Sequence, residues 1–180
     1  MFQLNDCRAA ASGVLGALLC GAALAAAPAE VGPPMESQQF VQAVAQAGMT
    51  EVEAARIALE ISKNDAVRGF AQKMITDHQA ANEQLAAIAR SKSIQVPAQL
   101  DAEHAKTLQG LRSKSARQFD AAYADQMVRD HAKVIALFEP NVANPDSALA
   151  AFVARTLPIL QDHKRMADNL QANLRGKKHQ

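Results

Sequence analysis

The sequence predicts an all-α fold of four long helices, arranged as two helical hairpins joined by a long crossover containing a short helix. Three observations carry this. Alanine is abundant and aromatics make up only 4 % of the 180 residues, with 8 glycines and 7 prolines, a balance that favours helix over sheet. Apolar residues recur three or four positions apart through four long windows. The breaks between those windows run short, long, short, which is the connectivity of a ferritin-like four-helix bundle.

Residues 1–29 read as a secretory signal peptide. Arg8 supplies the basic start, AAASGVLGALLCGAALAAA the apolar run, and Ala27-Pro28-Ala29 a cleavage site, with Ala23-Leu24-Ala25 as the upstream alternative. Cys7 and Cys20 both fall inside this segment, so the mature chain is expected to lack disulfides and thiol chemistry. The periplasm is the compartment this implies. No later segment is apolar enough for a membrane span. The formal charge of +1, spread along the chain, gives no nucleic-acid footprint.

A Pro-rich linker occupies residues 30–36. Residues 37–175 form the bundle and 176–180 a basic tail that includes His179. Ser37 is the expected N-cap of a first helix over about 38–62. Asn64 or Asp65 caps the second, which runs to about Ser91 on a stripe of Phe70, Met74, His78, Ala81, Leu85 and Ile88. Val96-Pro97 breaks the crossover, and Leu100, His104, Leu108 and Leu111 mark its short helix. The third long helix starts near Ala116 with Phe119, Tyr123, Met127, His131, Val134 and Phe138 on one face, and Pro140 ends or kinks it. Asn144-Pro145 reads as N-cap and first helical position of the fourth, which runs to about Leu174 and bends at Pro158.

The chemistry lies in a repeat. MITDH at 74–78 returns as MVRDH at 127–131, and a third Asp-His pair, Asp162-His163, follows in LPILQDHK. Of 5 histidines, three stand directly after an aspartate, each on its helix's apolar stripe. Counted inward from a common end of the bundle, Glu53, His78, His131 and His163 agree in height to within roughly 8 Å. Glu51 competes with Glu53 for the acidic position and fits the apolar stripe better. One carboxylate and three imidazoles suit one transition metal ion, Fe, Zn, Cu or Mn. Asp77, Asp130 and Asp162 sit about 100° round their helices and serve as ring-orienting acceptors or as ligands. Glu-x-x-His is absent, which disfavours a carboxylate di-iron centre. The alternative is a structural or interaction module whose buried His/Asp network only specifies the fold. Tyr123 is expected in the core with its hydroxyl satisfied, and His104 as a structural or partly exposed residue.

FVQAVAQAGMTEVEAARIA, FAQKMITDHQAANEQL, FDAAYADQMVRDH and TLPILQDH resemble, in order, segments of the bacterial domain-of-unknown-function 4142 family, across about residues 37–172. The resemblance implies a ferritin-like bundle and an exported protein. Its recurring polar positions fall on Glu51, Glu53, Asp77, His78, Asn82, Asp130, His131 and His163. The expectation is a metal-binding or envelope stress-related protein, leaning away from an enzyme, with a homo-oligomer open and no identified partner.

Overall fold

Five helices and no strands make up the described residues, 34–176, of this computed structural model. The expected signal peptide, most of the linker and the tail with His179 lie outside them. The helices are α1 (Ser37–Ile61), α2 (Asp65–Ser91), α3 (Ala102–Arg112), α4 (Ala116–Asn141) and α5 (Ser147–Gly176). None is long and apolar enough to cross a membrane.

Two helix starts differ from the sequence expectation. Ser37 is already helical and Glu36 precedes it with no side-chain cap. At the other hairpin the cap is Asp146, not Asn144. Asp146 Oδ1 accepts from the N–H groups of Ala148 at 3.0 Å and Leu149 at 3.1 Å, while Asn144 Oδ1 is occupied by the Asp146 N–H. An aspartate can take two of the unpaired N–H groups of a first turn and meets the positive end of the helix dipole. Asn144 instead ties the loop back to Asn141 Oδ1 at 2.9 Å. Asn64 caps α2 through Ala66 N–H as expected. Pro140 stands one residue before the end of α4, and α5 continues through Pro158.

α1 packs on α2 and α4 on α5, each across a short loop, while α1 also meets α4 and α2 meets α5. The apolar residues divide into two separate clusters. One gathers Ile57, Val67, Phe70, Met74, Phe119, Tyr123, Met127 and Leu170. The other gathers Phe40, Val44, Leu85, Phe138, Leu149, Phe152 and Leu160. Thus the start of α1 lies with the end of α2, the end of α4 and the start of α5. Laterally packed helices run antiparallel, and the segment from α2 to α4 must travel the length of the bundle. Between the clusters lies a layer of buried polar side chains: Glu51, His78, His131 and His163.

α1 and α2 approach closely beside this layer. A Cβ on Gly48 would stand 2.0 Å from Asn82 Oδ1. Gly48→Ala removes the backbone-entropy penalty of a mid-helix glycine but forces the Asn82 side chain to turn away. Its effect should depend on the neighbour. In an Asn82→Ala background we expect Gly48→Ala to stabilise by about 0.5–1 kcal/mol. In the wild type that gain should shrink or reverse. A double-mutant cycle in urea checks this, and additive values would refute the contact.

Candidate metal centre

Each histidine is delivered by a different helix. His78 stands on α2, His131 on α4 and His163 on α5, all at positions where the 3.6-residue period turns the side chain inward. Their rings are 5.3–5.6 Å apart by centroid. One nitrogen from each lies within 4.8 Å of the other two. Exposures of 7 % for His78 and 1 % for the others place all three in the interior.

Two of the rings have their tautomer set from outside the cluster. His131 Nδ1 is 2.9 Å from the Met127 carbonyl, which can only accept, so Nδ1 carries the proton and Nε2 the lone pair. His163 Nε2 is 2.7 Å from Asp77 Oδ2, so there Nε2 donates and Nδ1 keeps the lone pair. His131 Nε2, His163 Nδ1 and His78 Nε2 are buried and have no hydrogen-bond partner among the described residues. Glu51 Oε2 is likewise buried and unpartnered. Its other oxygen stands 3.7 Å from His131 Nδ1, beyond hydrogen-bonding range.

Burial pushes the His78 imidazole down to about 3, helped by the neighbouring His131 and His163. Burial likewise lowers His131 to about 4, against the raising effect of the Met127 carbonyl. His163 is lowered too, as burial outweighs the Asp77 carboxylate. All three rings are therefore neutral donors near neutrality. Burial, then the Asp130 charge, holds Glu51 well above the usual carboxylate range. Burial would raise Asp77, but hydrogen bonds from Lys73 and His163 prevail and lower it.

These shifts set a pH dependence for the metal-free protein. Unfolded histidines take up protons near pH 6.5, while folded His78 and His131 wait until about 3 and 4. Between those values the unfolded state binds more protons, so stability falls on acidification below about pH 6.5. Each of the two contributes a slope approaching about 1.4 kcal/mol per pH unit. Glu51 acts in the opposite sense, since its raised folded value costs stability at neutral pH and that cost fades on acidification. Burial raises Asp130 in the same sense as Glu51, but three lowered imidazoles outweigh these two carboxyls, so urea midpoints should fall from pH 6.5 to 5. A flat or rising profile would mean that the rings charge within the folded state.

The structure sorts the remaining sequence candidates. It brings together His78, His131 and His163, and buries Glu51 beside them with one carboxylate oxygen 3.7 Å from His131 Nδ1. Asp77 joins them by holding His163. Glu53, the competing acid, is half-exposed on the outer face and paired with Arg56. Asp162 pairs with Arg165 rather than with a histidine. Asp130 is half-buried and lines a pocket of about 210 Å³ between α1, α3 and α4, together with Glu51, Glu103 and His104. His104 is bonded to Asp101 at 2.8 Å and sits apart from the cluster. Tyr123 is in the core as expected, yet its hydroxyl is unpartnered among the described residues, and Gln126 Nε2 shares that condition. Stripe periodicity finds Tyr123 as a core residue. It gives no signal for Gln126, and none for the Met127 carbonyl that fixes His131.

The sequence matches the family described as "Domain of unknown function (DUF4142)" over residues 22–170. No curated protein matches it. The fold is similar to that in the crystal structure of a DUF305 fragment from Deinococcus radiodurans, with a TM-score of 0.68 and 19 % identity. That similarity covers 79 % of this chain and 99 % of the fragment.

Proposed function

The chain belongs to the domain-of-unknown-function 4142 family, and from that premise we propose that it is an exported periplasmic protein of ferritin-like connectivity that binds one divalent transition-metal ion in mid-bundle. His78 Nε2, His131 Nε2 and His163 Nδ1 are the ligands, and Glu51 supplies the fourth position and a compensating charge. The supporting observation is the set of four buried atoms in one layer, His78 Nε2, His131 Nε2, His163 Nδ1 and Glu51 Oε2, with no hydrogen-bond partner among the described residues. A layer that served only to fix helix register would gain most from giving each of those atoms a complementary partner, because an unmade buried hydrogen bond costs about 1–3 kcal/mol. An ion between the three histidines satisfies their nitrogens at once, and its charge offsets that of the buried Glu51.

Three neutral imidazoles and one carboxylate are a borderline donor set, suited to Cu, Zn or Fe more than to Mn. The Asp77–His163 and Met127–His131 hydrogen bonds act as the outer supports that orient ligand rings. Asp77→Ala should therefore weaken metal affinity about 10–100-fold without changing stoichiometry. Competition against a chromophoric chelator reads this directly. Unchanged affinity would remove Asp77 from the site.

The experiment that tests the whole proposal is elemental analysis of untagged protein recovered from its compartment without chelators. About one equivalent of a single transition metal is expected. No metal above background, with no thermal shift on adding Cu, Zn, Fe or Mn, refutes it. Mass spectrometry of the same sample locates the mature N-terminus, expected between Ala25 and Glu30. Light scattering with and without metal gives the assembly state.

A further inference from the structure

A groove of about 550 Å³ runs along the seam of α2 and α5, lined among the described residues by those two helices. His78 and His163 form part of its inner wall. Glu51 stands on α1, and the pocket it lines lies between α1, α3 and α4, across the bundle from this seam. A void of about 20 Å³ lies between the groove and Glu51, and His78, Thr156 and Leu160 line both spaces. The histidine layer is thus walled by Glu51 on one side and by the groove on the other.

The formal charges lining the groove cancel, Lys73 and Arg155 against Asp77 and Asp162, but both carboxylates are already engaged. Asp77 is engaged twice, by Lys73 at 2.8 Å and by His163 at 2.7 Å. Asp162 is engaged by Arg165. Arg155 lines the same groove, is exposed, and has no carboxylate partner among the described residues. A guanidinium offers five donors to an oxyanion or carboxylate. Three neutral imidazoles and one carboxylate leave a divalent ion with an uncompensated positive charge. The groove therefore joins an unpaired cation at its lip to an underneutralised centre at its wall.

We infer that this groove is the binding site of a small anion, which ligates the metal from the α2/α5 face and is drawn in by the unpaired charge of Arg155 on the same groove. The inference rests on the metal proposal above. It adds the class of exogenous ligand, an anion no larger than a small carboxylate or oxyanion at the metal, and the face by which it arrives.

The test uses the full mature chain loaded with Cu(II), its stoichiometry measured before any anion is added. Azide is the probe, followed through its charge-transfer band to copper. A saturable band is expected, competed by formate. Arg155→Ala should weaken azide about tenfold, the loss of one nearby unpaired charge in the groove, with copper affinity unchanged. Arg155→Lys should restore part of it. Because Arg155 is exposed and unpaired, neither variant threatens the fold. A copper-loaded protein that gives no azide band, or a band indifferent to both Arg155 variants, overturns the inference while the metal reading stands. A chain that takes up no copper or other metal overturns that reading first, and this one with it.

Discussion

His131→Ala is expected to abolish stoichiometric metal binding, with affinity falling well beyond the roughly 100-fold that loss of an outer support produces. His131 contributes Nε2 from a ring that is 1 % exposed and locked by the Met127 carbonyl, so no rotation of a neighbour replaces it. The same variant should lose metal-induced stabilisation. Metal at a thousand times Kd stabilises the wild type by about 4 kcal/mol, roughly 8–16 °C in Tm for a domain of this size. His131→Leu is the informative companion. It fills the ring's volume and removes the unpartnered Nε2, so the metal-free protein should be unchanged or about 1 kcal/mol more stable. Calorimetry with and without metal reads both effects. Metal stabilisation surviving in His131→Leu would place the ion elsewhere.

Phe138→Ala should cost about 3–5 kcal/mol whether or not metal is present. Phe138 is fully buried near the end of α4, with ring centroids 5.4 Å from Phe40 on α1 and 5.9 Å from Phe152 on α5. It fastens three helices in a core otherwise short of large side chains. Alanine leaves a cavity that α-helical backbones cannot close. Urea unfolding gives the loss directly. A cost below about 1 kcal/mol would mean that Phe40 and Phe152 collapse onto each other.

Most of the helical framework was readable because each helix carries a regular apolar stripe and each break carries Asn, Pro or Ser. The ends were less readable. At the second hairpin, Asn144, Asp146 and Ser147 all suit a cap, and only the loop geometry selects Asp146. The three histidines were readable because polar residues on apolar stripes stand out. Glu51 and Glu53 both stayed open as the acidic position, since only their angle round α1 separates them. The stripe suits Glu51 better, and Glu51 is 2 % exposed while Glu53 pairs with Arg56 on the outer face. Tautomers, the unpartnered atoms and the α2/α5 groove depend on interhelical distances, which no one-dimensional pattern carries. Arg155 in particular looks like any solvated arginine until the carboxylates around it are found engaged.

The division of the apolar residues into two clusters, with polar side chains between, bears on how the molecule opens. Amide hydrogen exchange of the metal-free chain should resolve two protection levels, one for the Phe70–Tyr123 half and one for the Phe138–Phe152 half. Few apolar contacts cross the intervening layer to make the halves yield together. A ligand drawn from α1, α2, α4 and α5 at that layer would act as a clasp, merging the two levels into one cooperative unit.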